Sequence, residues 1–245
     1  MEKLDNMIPK KIHYCWFGRG EMPDLVRKCI ASWKKYLPEY EIKEWNEDNF
    51  DLNSYPYVRE AYHNKRFAFV TDVVRLHALY YEGGIYMDTD VEVLKPLDSL
   101  LNYKIVSGFE SETQIPTGLM ASEAEVPFML ELLQDYDDAH FVKEDGSLDL
   151  TTNVERITNH CLRYGIQLNN TLQTVNDFTF LPKDYLCPKS YEDGKIRLTQ
   201  NTLVIHHFAG SWYTPMEKFK QKVAKILGKR ISSVLVRIKG LVVSK

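Results

Sequence analysis

Apolar and polar positions alternate between two periods along this chain. Residues 11–16, KIHYCW, read as a first strand, closed by the turn-like FGRGEMPD. From 24 to 36, Leu25, Cys29, Ile30 and Trp33 recur at helical spacing, so DLVRKCIASWKKY predicts an amphipathic helix. The proline of YLPEYE ends it, and YEIKEW is a short second strand. A helix is expected over 56–64. FAFVTDVVRLHALYYEGG predicts a longer one, stopped by Gly83-Gly84. IYMDTDVEVL has the β-branched content and length of a strand, with Pro96 just beyond it. KIVSGFE and TGLMAS read as two more strands, 127–137 and 151–164 as helices, TLVIHHF as a late strand and 215–239 as a last helix. Helices alternating with strands predict an α/β protein built on one sheet. The only change of composition falls near 215, so one domain over 1–215 and a helical tail over 216–245 are expected.

Composition narrows the class. A chain of 245 residues, 44% hydrophobic and 27% charged with a net charge of −3, is ordinary for a soluble globular protein with one large core. Cys15, Cys29, Cys161 and Cys187 are scattered without a CxxC pair, which argues for reduced thiols rather than a zinc site or a disulfide framework. The polar start, MEKLDNMIPKK, has no apolar core of a secretory signal, and no segment reaches the roughly 18 apolar residues of a membrane span. A cytoplasmic protein without a nucleic-acid partner is expected. The charge is nevertheless uneven: 217–245 holds nine Lys/Arg and one Glu, a net of +8, which leaves −11 for 1–216.

The candidate chemistry centres on GGIYMDTDVEVL at 83–94. If the strand runs through the motif, Asp88 and Asp90 share one face, and two neighbouring carboxylates are costly to desolvate without a cation. The apolar VEVL after the pair argues for that continuous strand. The alternative is a strand ending at Met87 with both aspartates in a solvated turn. In the preceding helix Asp72 and Arg75 lie at i, i+3 among Val70, Val73, Val74, Leu76 and Leu79. A charged pair on an otherwise apolar helix is a candidate ligand group.

TDVVRLHALYYEGGIYMDTD resembles the signature of the DXD-sugar glycosyltransferases, which include yeast Golgi mannosyltransferases, bacterial capsule and O-antigen transferases and clostridial glucosylating toxins. IPKKIHYCWFG at 8–18 resembles the family's first strand, and HHFAGSW at 206–212 its closing motif. Small size and FLPKDYLCP at 180–188 look most like the bacterial polysaccharide branch. The resemblance implies a GT-A fold, a Rossmann-like α/β domain with a mixed central sheet that binds a nucleotide-sugar at the carboxyl ends of its strands. It implies Asp90 as a direct metal ligand and Asp88 on the metal or the ribose. It also implies Asp72 and Arg75 on sugar hydroxyls and phosphate, Tyr86 at the aromatic position before DxD, and Trp16 stacked on uracil. A late histidine beside two carboxylates gives a mixed set suited to Mn²⁺, or Mg²⁺. His207 is the favoured third ligand, with His206 close behind, while Ser211 and the Trp212 indole would donate to the diphosphate.

The activity implied is retaining, metal-dependent transfer from a UDP-sugar to a glycan, in capsule or O-antigen synthesis. Segment 108–122, with Glu110 and Gln114, is expected near the acceptor. A toxin-like transferase acting on protein is an alternative, as is a Mg²⁺-dependent phosphatase of the haloacid-dehalogenase type. The latter usually has Gly-Thr after its DxD, where this chain has Val91-Glu92. In the tail, apolar residues recur every three or four positions from Phe219 to Val242 and the lysines flank them. That pattern suits a helix lying on an anionic membrane, so peripheral attachment through 217–245 near a lipid-linked acceptor is expected.

Overall fold

The computed structural model describes residues 7–116, 118–190 and 193–210. The chain divides after Phe208, and the part up to that residue is one compact unit. The expected 215/216 boundary and the tail helix lie outside the described residues, as do Ser211 and Trp212.

A seven-stranded mixed sheet runs in the order β2-β1-β3-β6-β5-β8-β7. Its strands are β1 (Lys11–Cys15), β2 (Glu41–Trp45), β3 (Gly84–Met87), β5 (Ile105–Gly108), β6 (Leu119–Ser122), β7 (Gln173–Val175) and β8 (Phe178–Leu181). β2, β1 and β3 are parallel to one another, and β5 and β8 form a second parallel pair. β6 joins the two groups by antiparallel pairing on both sides. The carboxyl ends of β1, β2, β3, β5 and β8 therefore share one edge of the sheet with the start of β6. The expected fold class, α/β with a mixed central sheet, is the one observed.

Helices cover both faces. α2 (Pro56–His63), α3 (Phe67–Glu82), α4 (Pro127–Gln134) and α5 (Asn153–Arg163) contribute to one apolar layer with Tyr86, Phe178 and Phe180. α1 (Asp24–Tyr36) closes the other through Cys29 and Trp33 against Ile12, Ile85 and Met87, joined by Leu186 of the short α6 (Lys183–Leu186). Alternation along β3 sends Tyr86 to the first layer and its neighbours to the second. Among the described residues, no helix is long and apolar enough to cross a membrane.

Two connections depend on local chemistry. α3 passes to β3 through Gly83 (φ +64°) and Gly84 (φ +104°), where a Cβ on Gly84 would lie 2.6 Å from the Lys11 carbonyl. Only glycine suits that backbone and that close approach. β7 and β8 form a hairpin through Asn176 (φ 45°) and Asp177 (φ 67°), the two left-handed residues of a type I′ turn. This hairpin was not anticipated, although Asn-Asp between Thr-Val and Phe-Thr-Phe was its sequence signal.

Candidate active site

The strand carrying the aspartates stops at Met87. The Asp88 amide donates to the Gly118 carbonyl at 2.7 Å, and the Val91 amide donates back to the Asp88 carbonyl at 3.0 Å. Asp88-Thr89-Asp90 is therefore a tight turn at the carboxyl edge, and the expected continuous strand is corrected. β4 (Val91–Val93) leaves the main sheet and pairs antiparallel with β9 (Val204–His206), setting Val91 opposite His206. α1 fixes β4 there: the Trp33 indole donates to the Val91 carbonyl at 2.7 Å, and the Val93 amide donates to Ser32 Oγ at 2.9 Å. The turn, not strand alternation, brings the carboxylates together.

His206 Nε2 lies 3.3 Å from Asp90 Oδ1 and 3.9 Å from Asp88 Oδ2. One ligand atom from each of Asp88, Asp90 and His206 falls within 4.8 Å of the others. The aspartate side chains are 26% and 13% exposed, so the turn is present but neither aspartate is freely solvated. His206 Nδ1 is buried without a hydrogen-bond partner. A Cβ on Gly118 would come within 2.9 Å of Asp88 Oδ2 and 3.0 Å of the His206 ring, so glycine leaves room beside the cluster. Two carboxylates and one imidazole form the oxygen-rich mixed set that a divalent Mn or Mg ion accepts. Burial alone would pull the His206 pKa down. Asp90, its hydrogen bond to the ring, Cys187 and Asp88 instead raise it well above the ordinary value.

His207, the favoured third ligand, is placed elsewhere. Its Nε2 is 2.8 Å from Glu92 Oε2, and Glu92 also receives Lys28 at 2.9 Å. His206 and His207 leave the strand on opposite sides, and the pairing of β9 with β4 puts His206 on the side of the aspartates. The order of preference between the two histidines is reversed.

Arg75 bridges the turn and the helix. Its Nη2 donates to Asp88 Oδ1 at 2.9 Å and lies 3.6 Å from Asp72 Oδ1. The Tyr86 hydroxyl also donates to Asp88 Oδ1, at 3.2 Å, and the guanidinium sits 4.6 Å from the centre of the Tyr86 ring. Burial opposes the charge of Arg75, but Asp88, Tyr86 and Asp72 keep its pKa above the usual value. Asp72 is buried beneath, and its Oδ2 accepts a 3.3 Å hydrogen bond from the Asn153 amide at the start of α5. Desolvation pushes the Asp72 pKa up to about 6, with Arg75 opposing.

Trp16 stands one residue past β1 on the same edge of the sheet, half-buried, with its indole N–H donating to the Gly20 carbonyl at 2.7 Å. The structure thus brings Asp88, Asp90, His206, Arg75, Tyr86 and Asp72 into one constellation. Glu110, two residues past β5, lies near it: burial raises its pKa, and His206, Asp88, Arg75 and Asp90 are the charges acting on it. Gln114 is not in the cluster; its carbonyl accepts from the Glu110 amide at 2.9 Å. Sequence reasoning did not find Gly118, because only the paired backbones of β3 and β6 bring it to Asp88.

Residues 23–106 match the family described as "Glycosyltransferase sugar-binding region containing DXD motif". The match is to the DXD-motif glycosyltransferases. Similar curated proteins include inositol phosphoceramide mannosyltransferase 3 of Schizosaccharomyces pombe, 31% identical over 134 residues, 52% of this chain and 36% of that protein. Glucan organizing enzyme 1 of Cryptococcus neoformans is 36% identical over 110 residues, 44% of this chain and 25% of that protein. Toxin Afp18 of Yersinia ruckeri is 45% identical over 83 residues, 34% of this chain and 4% of the toxin. The chain thus spans well under half the length of these relatives. Among solved structures, a glycosyltransferase involved in the glycosylation of the major capsid of PBCV-1 aligns over 81% of this chain and 94% of its own, at 14% identity and a TM-score of 0.46.

Proposed function

We propose that this chain transfers a sugar from a nucleotide diphosphate donor, most simply a UDP-sugar, to a glycan acceptor, with retention at the anomeric carbon. The carrying observation is the convergence of Asp88, Asp90 and His206 at the carboxyl edge of the sheet, with both aspartates inside the segment 23–106 matched by the DXD glycosyltransferases. Asp88, Asp90 and His206 would hold a divalent cation, Mn²⁺ or Mg²⁺, which supplies Lewis-acid neutralisation of a diphosphate leaving group. Arg75 presents a fixed positive charge in a half-dry site, where such a charge acts more strongly than in water. Asp72 accepts hydrogen bonds from sugar hydroxyls, Tyr86 holds Asp88 in place, and Trp16 stacks on the base. Ser211 and Trp212, outside the described residues, would donate to the diphosphate. The bond from the anomeric carbon to the phosphate oxygen breaks as the acceptor oxygen bonds to the same face, and the acceptor proton passes to the departing phosphate.

The acceptor reading is a lipid-linked glycan of a bacterial surface polysaccharide, capsule or O-antigen. The tail of net charge +8 supports attachment to the inner, anionic face of the cell membrane. One relative is named for a lipid acceptor, inositol phosphoceramide, and another is named a toxin; a toxin-like transferase acting on protein is the second reading. A panel of UDP- and GDP-sugars with Mn²⁺, scored for donor hydrolysis and thermal stabilisation, tests the activity without an acceptor. Metal-dependent stabilisation by one nucleotide is expected, and none by any would defeat the reading. Co-sedimentation with anionic vesicles, comparing the full chain with a 1–215 truncation, tests the tail. Equal pelleting of both would remove the membrane from the proposal.

A further inference from the structure

Around Asp72, three segments distant in sequence converge. Tyr57 comes from α2, Tyr136 from the turn after α4, and Asn153 and Arg156 from the first turn of α5. The Arg156 guanidinium lies 5.6 Å from the centre of the Tyr57 ring and 5.1 Å from that of Tyr136, and it is ion-paired with Asp149. The two tyrosine rings meet edge to face at 5.1 Å. Asn153 Nδ2 donates to the Asp72 carbonyl at 3.2 Å while its amide reaches Asp72 Oδ2.

Other polar atoms of this cluster have no hydrogen-bond partner among the described residues. Tyr57 is 0% and Tyr136 1% exposed, yet neither hydroxyl has a hydrogen-bond partner; nor do Asn153 Oδ1, Arg156 Nε or Arg75 Nε. Each such atom left unsatisfied in a dry interior is destabilising. Several of them around one carboxylate need an occupant. Their chemistry is complementary to water, which can accept from tyrosine or guanidinium and donate to Asn153 Oδ1 and to Asp72. At these exposures a bound sugar does not reach the two hydroxyls, so water is the fitting occupant. Burial raises both tyrosine pKa values and Asp72 raises them further, which places its charge within reach of both rings.

We propose that Tyr57 and Tyr136, with Asn153 and Arg156, enclose a water-binding chamber on the interior side of Asp72 and act as positioning residues for its carboxylate. The role rests on the reading of Asp72 as the group that meets the donor sugar. Among the described residues, the Asp72 carboxylate is otherwise held by a 3.3 Å amide and an ion pair at 3.6 Å. The chamber supplies the remaining hydrogen bonds, through water, and so fixes the rotamer presented to the sugar.

The test uses the full chain and the variants Tyr57→Phe, Tyr136→Phe and the double, which keep the rings and remove the hydroxyls. A crystal structure showing ordered solvent should place water between the two hydroxyls and Asp72, lost in the double variant. A dry chamber overturns the proposal. In donor hydrolysis with Mn²⁺, the double variant should lose about tenfold or more in kcat/KM for the preferred nucleotide-sugar. Its affinity for UDP itself, measured by calorimetry, should be unchanged. Unchanged kinetics with a lower Tm would make the tyrosines merely structural and overturn the positioning role. If the wild type turns over no nucleotide-sugar, glycosyl transfer fails as a reading, and the solvent structure still decides the chamber.

Discussion

β3 carries a buried polar group at each end, and the two are built differently. At its amino end His13 Nε2 donates to the Gly83 carbonyl at 2.7 Å, and the Trp45 indole donates to His13 Nδ1 at 3.0 Å. An indole only donates, so Nδ1 is the acceptor and Nε2 carries the proton. Both ring nitrogens are satisfied. At the carboxyl end the pairing is incomplete: His206 Nδ1 and Arg75 Nε have no partner, and two carboxylates face one imidazole. A satisfied polar cluster rigidifies a fold. One left short of partners at the carboxyl edge of an α/β sheet is where a ligand completes the set.

The comparison makes opposite demands on the two ends. Asp90→Asn should cut turnover of the nucleotide-sugar by about 100-fold or more, because it removes a ligand of the cation. The melting temperature should hold or rise, since one of two neighbouring like charges is gone. Full turnover of this variant in the presence of EDTA would end the metal reading. Gly84→Ala should do the reverse. Its Cβ would press on the Lys11 carbonyl at φ +104°, so stability should fall by about 2–4 kcal/mol in denaturant unfolding. Activity per folded molecule should stay close to wild type. An unaltered midpoint for Gly84→Ala would show that the amino end is not the rigid part.

The same contrast shows what was legible in the sequence. Helical periodicity placed α1 at its observed limits, because Cys29 and Trp33 face the core and Pro38 stops the helix. The Gly83-Gly84 stop was legible because no other residue tolerates that backbone. Asp72 and Arg75 stood out as a charged pair on an apolar helix and Tyr86 through the resemblance, and their mutual contacts follow from α3 lying against β3. The aspartate turn was misread because Val91 and Val93 have strand character and do form a strand, in a second small sheet. The choice between His206 and His207 depended on the pairing of β9 with β4, across more than 100 residues of sequence. Tyr57, Tyr136 and Gly118 gave no local signal, since tertiary contact alone brings them to the site.

Acid separates the two ends by sign. The His13 pKa is lowered to about 4, mainly by burial, from an ordinary 6.5. Between these values the unfolded chain binds the extra proton, so the contribution of His13 is complete above pH 6.5 and lost as pH falls toward 4. Asp72 is shifted the other way, from 3.8 to about 6, so its contribution is complete below pH 3.8 and lost as pH rises through 6. Asp72→Asn should therefore stabilise the protein at pH 7, by up to about 3 kcal/mol, with the gain vanishing near pH 4. The His13 ring should titrate near 4 by NMR. Destabilisation by Asp72→Asn at pH 7 would assign Asp72 to the scaffold, alongside His13.

Trp16 tests where the boundary between the two kinds of cluster runs. Its indole N–H is satisfied by Gly20, as that of Trp45 is by His13, and part of its ring packs on the apolar layer beneath α1. By hydrogen bonding alone it belongs with the scaffold. By position it belongs with the site, since it follows β1 at the edge that carries Asp88, and a satisfied N–H leaves the ring face free to stack. Trp16→Ala should weaken UDP binding by about 1–3 kcal/mol, the usual worth of stacking a base on an aromatic ring. Trp16→Phe should restore most of it, and Mn²⁺ binding in the absence of nucleotide should not change. The measurement is calorimetric titration of UDP into the Mn²⁺-loaded protein. An unchanged affinity in Trp16→Ala, with a lowered melting temperature, would make Trp16 a packing residue and move the edge of the ligand site in from β1 to β3.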